Sequence, residues 1–214
     1  MALPQSEIIF TEEEYLAFER ASEEKHEYLD GHIYAMAGES GAHGDICVNL
    51  TVAIGTQLRG TPCRARSKDT KVRSGPRPRY PRYPKGLYSY PDLVVICGAP
   101  QYLDKYEDVI INPTLIIEVL SESTEAFDRG EKFRRFRAWL PSLTDYLVVA
   151  QNQPLIEHFA RQANGQWVIA ASVSELSDIV PLESIGCVLH LADVYDRIEF
   201  PPEEEEPEST DGDQ

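Results

Sequence analysis

"PTLIIEVLSEST", residues 113–124, places Glu118 in the middle of a nearly continuous apolar run formed by Leu115, Ile116, Ile117, Val119 and Leu120. A short apolar run of this kind reads as a central strand covered on both faces. Burying an ionised carboxylate there without a partner costs several kcal/mol, so a cation, a hydrogen-bond donor or a metal ion must offset it. The search for that partner organises the rest of the chain.

Working outward, "PDLVVIC" reads as a second apolar strand, with Asp92 at its start and Pro91 at its entry. "TDYLVVA", "LIEHFAR" and "QWVIAAS" read as further strands, and "CRARS" and "TKVRS" as earlier ones. Between the strands, "RGEKFRRFRAWL" has helical character up to Pro141, with Asp128 placed to cap it and Trp139 assigned to the core. Near the start, Thr11 stands three residues before Glu14 in a capping-box pattern that opens a short amphipathic helix. Asp30-Gly31 at the centre of "HEYLDGHIYAMAG" signals a hairpin. Ser40 precedes a second helix with Ile46, Leu50, Ala53, Ile54 and Leu58 on one face, ended by Gly60. Helices alternating with buried strands give an α/β fold, a mixed β-sheet flanked by helices with an N-terminal β-hairpin. The 214 residues suit one domain over 1–200, followed by an acidic tail at 201–214 too poor in apolar residues to fold.

The net charge of −16 argues at first against a polyanionic partner. Its distribution argues otherwise, because the tail from Glu203 carries seven acids and no base. Between Arg59 and Lys85 lie ten of the 20 Lys and Arg residues against the single acid Asp69, and residues 128–137 hold five more. These two segments are locally basic, and local fields steer polyanions. Tyrosines interleaved with arginines at 79–90 could stack on bases or simply stiffen the loop. The cysteines Cys47, Cys63, Cys97 and Cys187 are scattered, which suggests neither a zinc site nor a disulfide framework. With no secretory pattern at the N-terminus and no run of membrane-spanning length, the expected location is cytoplasmic, with no membrane partner.

If the strands of Asp92 and Glu118 are neighbours, both carboxylates converge near one end of the sheet. Two carboxylates and a backbone carbonyl make a hard-oxygen site suited to Mg²⁺ or Mn²⁺, although such a pair can equally bind arginine side chains. The order "YPDLVVI…PTLIIEVLSEST…DRGEKFRRF…TDYLVV" resembles the PD-(D/E)XK nuclease superfamily, and more closely its Uma-type branch of restriction-endonuclease-like proteins. The resemblance covers most of residues 11–195 and includes the hairpin segment and the helix start "SGAH".

It implies a metal-dependent endonuclease acting on DNA, with Asp92 and Glu118 as metal ligands and Glu27 and His43 as accessory residues. The superfamily pattern expects a lysine two residues after the second acid, where this chain has Leu120. The resemblance places that lysine on the following helix, at Lys132, with Lys71 on an earlier strand as the competitor. Where the family's last strand often closes with an acid, this chain has Ala150. Glu27 could instead pair with a cation across its hairpin, and His43 could be an ordinary helix-start residue. A homodimer follows from the need to cut two strands. The alternatives are an inactive nucleic-acid-binding or regulatory protein on the same fold and, less well supported, a carboxylate-pair glycosidase.

Overall fold

A computed structural model describes residues 9–76 and 85–201. Helix α1 (Glu12–Ala21) opens with the expected capping box: Thr11 and Glu14 cap each other's backbone N–H groups. Strands β1 (His26–Leu29) and β2 (His32–Ala35) form the hairpin, with Asp30 and Gly31 both at positive φ, as a tight primed turn requires. Helix α2 (Gly41–Gln57) starts at Ser40, whose hydroxyl accepts from the His43 N–H at 3.1 Å.

Strands β3 (Cys63–Ser67), β4 (Lys71–Ser74), β5 (Leu87–Ser89), β6 (Leu93–Cys97), β7 (Val109–Ile110) and β8 (Leu115–Leu120) follow. A short helix α3 (Glu125–Phe127) runs through a π-helical turn, Asp128–Lys132, into α4 (Phe133–Trp139). The chain then forms β9 (Asp145–Ala150), β10 (Ile156–Arg161), β11 (Trp167–Val173), β12 (Ile179–Leu182), β13 (Cys187–His190) and α5 (Leu191–Val194).

The strands make two mixed sheets and a separate hairpin rather than one sheet. A six-stranded sheet runs β11-β10-β9-β8-β6-β3, a five-stranded sheet runs β2-β1-β5-β4-β7, and β12 pairs with β13. The N-terminal hairpin is the edge of the second sheet. Strand β8 lies parallel to β9 and antiparallel to β6, at the centre of the larger sheet.

Alternation along β8 explains the layers. Leu115, Ile117 and Val119 pack in the core beneath Ile46, Leu50 and Ile54 of α2. Ile116 and Leu120 pack in a second core with Phe133 and Phe136 of α4. Glu118 shares the parity of Ile116 and Leu120, so it belongs to the α4 face. The sheet is therefore covered on both sides, which is why β8 reads as apolar without interruption on either face.

Three expectations need correction. Trp139 ends α4 with 49% of its surface exposed, because Phe133 and Phe136 already fill the inward stripe of that helix. Asp128 lies inside the helical run and makes no cap; it is buried one turn before Lys132. Cys63 and Cys97 are joined by a disulfide, because β3 and β6 place them directly opposite each other with Cα atoms 3.9 Å apart. Scattered spacing could not reveal that pairing across 34 residues. Among the described residues, no helix is long and apolar enough to cross a membrane. Residues 77–84 of the basic segment, and the acidic tail from residue 202, lie outside the described residues.

Candidate metal and phosphodiester site

The partner of Glu118 is Lys132. Its Nζ lies 2.9 Å from Glu118 Oε1 and 3.0 Å from Asp128 Oδ1, with Glu27 Oε1 farther off at 3.8 Å. Lys132 reaches this position from the π-helical turn after β8, whose extra residue per turn re-aims side chains and is frequent at functional sites. All three central side chains are buried: Glu118 is 3% exposed, Asp128 3% and Lys132 5%. Glu118 Oε1 and Asp128 Oδ1 are both shut off from water and share the one ammonium.

Asp92 stands at the entry to β6. The pairing of Leu93 with Ile117 carries it to the level of Glu118 on the neighbouring strand. Its Oδ2 accepts the Val119 N–H at 2.7 Å, and its Oδ1 lies 3.0 Å from His43 Nε2 at the start of α2. Glu27, on β1, accepts the Tyr90 N–H at 3.2 Å and faces Lys132. The five residues singled out from sequence, Asp92, Glu118, Lys132, Glu27 and His43, thus form one connected cluster drawn from five separate elements. Asp128, read as a cap, is its sixth member. The i, i+4 spacing of Asp128 and Lys132 was the available signal for it.

The electrostatics of this cluster are unbalanced. Burial pushes the Glu118 carboxyl well above its usual range; Lys132 opposes this, while Asp128 and Asp92 add to it. Burial alone would lower the Lys132 ammonium, but Glu118, Glu27 and Asp128 hold it well above the ordinary lysine value. His43 is likewise pulled down by burial, and the bond to Asp92 with the charge of Glu39 raises it overall. Four carboxylates (Asp92, Glu118, Asp128, Glu27) face one lysine and one histidine. A divalent cation fits such a donor set: it is all hard oxygen, carries excess negative charge and includes a carboxylate shut off from water.

Lys71 is not part of the cluster. It is buried on β4 between the rings of Tyr15 and Tyr90, with Asp108 Oδ2 at 3.8 Å, and burial lowers its pKa. The basic segment 128–137 is not a free cationic patch either. Arg129 pairs with Glu125 and Glu157, Arg134 with Glu131, and Arg135 with Asp30 and Glu131. A cleft of about 380 Å³ opens at the ends of β8 and β9, lined in part by Leu120, Ser121, Arg129, Ala150 and Gln151 and by none of the cluster's own side chains. Leu120 and Ala150 are the last residues of β8 and β9, so this cleft lies at the same sheet end as Glu118.

Residues 12–192 match the Uma2 family, described as "Putative restriction endonuclease". Two Synechocystis relatives cover most of the chain. The "Uncharacterized protein slr1290" is 37% identical over 88% of this chain and 92% of its own length. The "Uncharacterized protein sll1609" is 30% identical over 80% of this chain and 92% of its own. The crystal structure of "a putative nuclease belonging to DUF820" from Anabaena variabilis superposes with a TM-score of 0.67, over 87% of this chain and 97% of that one, at 16% identity. At that identity the likeness is one of fold.

Proposed function

This chain belongs to the Uma2 family, and from that premise we propose that it is a metal-dependent endonuclease hydrolysing DNA phosphodiester bonds. The observation that carries the reading is the buried, over-acidic cluster in which Glu118, Asp128 and Glu27 share the one ammonium of Lys132. Asp92 and Glu118 would hold Mg²⁺ or Mn²⁺. Such an ion supplies neutralising charge at the phosphodiester and acidifies a bound water.

The chain's own residues divide the remaining work. Lys132 stays an ammonium because three carboxylates hold its pKa up, so it serves as a fixed positive charge and not as a base. Such a charge matters most in the transition state, where negative charge grows on the phosphoryl oxygens. Asp128 and Glu27 hold Lys132 from two sides and fix its direction. The Val119 N–H and His43 orient the Asp92 carboxylate. The sheets and α4 exclude water from Glu118, which strengthens each of these interactions.

A second reading keeps the fold without the chemistry, as a nucleic-acid-binding or regulatory protein. It is favoured by one specific feature: both oxygens of Asp92 are already engaged, by His43 and by the Val119 N–H. Mn²⁺ titration with a DNA cleavage assay separates the two. In the hydrolytic reading, wild-type protein binds Mn²⁺ and cuts DNA, while Asp92→Ala and Glu118→Ala fold but lose both properties. Lys132→Ala keeps metal affinity and loses about 10²–10³ in cleavage rate, the scale of removing one oxyanion donor. Lys71→Ala keeps most of its rate. Metal-independent behaviour of the wild type, with no cleavage of any DNA form, would establish the second reading.

A further inference from the structure

We propose that Glu39, His43 and Cys47 form a second cation site at the start of α2, one that takes a borderline-soft divalent ion such as Zn²⁺ or Co²⁺. Glu39 lies just ahead of the Ser40 cap, with His43 and Cys47 on the first turns that follow. The spacing of four residues puts His43 and Cys47 on one face of the helix, and the extended Ser40 cap brings Glu39 back toward them. Their ligand atoms, a carboxylate oxygen, an imidazole nitrogen and the thiol sulfur, all lie within 4.8 Å of one another. Tetrahedral coordination at about 2.0 Å to N or O and about 2.3 Å to S needs donors roughly 3.3–3.8 Å apart. Glu39 Oε2 and His43 Nε2 are 3.9 Å apart, close to that spacing.

Further geometry supports the assignment. Lys68 pairs with Glu39 through Oε1, while Oε2 is the oxygen turned toward His43. Cys47 is a free, buried thiol at the margin of the core that Ile46 and Leu50 form with the sheet. Asp92 Oδ1, 3.0 Å from His43 Nε2, stands ready as a fourth, oxygen ligand.

A mixed S, N, O donor set selects against Mg²⁺, which takes oxygen ligands, and in favour of Zn²⁺ and its spectroscopic substitute Co²⁺. The site needs neither Glu118 nor Lys132, so it does not rest on the hydrolytic reading. It does touch that reading at one point. Asp92, whose Oδ1 faces His43, is a ligand in that reading too, so occupancy of one site alters the donor atoms of the other.

The test is a Co²⁺ titration of the full chain followed by absorption, with the Cys63–Cys97 disulfide kept oxidised. The wild type should saturate at one equivalent with a near-ultraviolet thiolate-to-cobalt charge-transfer band, and Zn²⁺ should bleach it. Cys47→Ser should lose the band, and Glu39→Gln should bind at least about tenfold more weakly. Glu118→Gln and Cys187→Ser should keep it. No band in the wild type, or a band that survives Cys47→Ser, would overturn the proposal. Loss of the band in Glu118→Gln but not in Cys47→Ser would also overturn it, by assigning the cobalt to the oxygen site. Mn²⁺ affinity is measured in parallel and should not change in Cys47→Ser, so failure of one site is told apart from failure of the other.

Discussion

Three buried carboxylates meet three different fates in this protein, and the contrast separates structure from function. Glu12 receives two hydrogen bonds from Arg73, at 2.8 and 2.9 Å, and a third from the Tyr88 hydroxyl at 2.6 Å. Asp145 lies 2.7 Å from His158 Nε2 and accepts from the Ser184 and Thr144 hydroxyls. Glu118 has only the ammonium of Lys132, shared with Asp128 and Glu27. A buried carboxylate with its lone pairs matched to donors contributes to the native state. One that is under-supplied, among other carboxylates, holds the protein in an unfavourable arrangement that a cation would relieve. The first two regions are built to stay as they are, and the third is the one that the proposed function fills with a cation.

The sharpest way to break this comparison is to remove a partner from a satisfied carboxylate. Arg73→Met should cost about 3–5 kcal/mol in urea unfolding, because Glu12 is then left buried and unpaired. A loss below about 1 kcal/mol would mean that water reaches Glu12 and that burial does not distinguish the regions.

A pair of isosteric changes comes next. Asp145→Asn should cost about 1–3 kcal/mol, since three donors lose a charged acceptor. Glu118→Gln, equally buried, should leave metal-free stability unchanged or raised, because it removes one charge from an over-acidic cluster. Equal destabilisation by both would make Glu118 an ordinary structural ion pair.

The smallest effect concerns pH. Burial would raise the Asp145 carboxyl, but His158, Ser184 and Thr144 hold it below its usual value of 3.8. A depressed folded pKa means that this contribution is complete above the unfolded value and is lost as pH falls through the lower folded one. The stability difference between wild type and Asp145→Asn should therefore hold from neutral pH down to about 4 and shrink below it. A gap that widens under acid would show that Asp145 is not held in its charged form.

Much of the larger sheet was legible in the chain because its strands are continuous apolar runs with turn residues between them. The capping box of α1, the Asp30-Gly31 turn and the Ser40 cap are local interactions, and each formed where the sequence placed it. Strands β5 and β7 were not legible, being three and two residues long and lacking any period to detect. The hairpin of β12 and β13 with α5 was missed for a related reason: its residues pack under α2 and carry no strong alternation of their own.

Sequence by itself determined that Glu118 would be buried, since a carboxylate flanked by five apolar residues in a central strand has nowhere else to go. Resemblance, and not geometry, put Lys132 beside it. Tertiary structure alone decided what each cation does. Arg73, Lys71, Arg129 and Arg135 look alike as members of basic segments, yet one braces Glu12, one sits between tyrosines, and two are consumed in surface ion pairs. The reason is physical. Backbone hydrogen bonding and apolar periodicity act over a few residues, whereas the pairing of charges depends on which distant strands become neighbours. Arg73 and Glu12 are 61 residues apart, and Cys63 and Cys97 are 34 apart; only the register of the sheets brings either pair together.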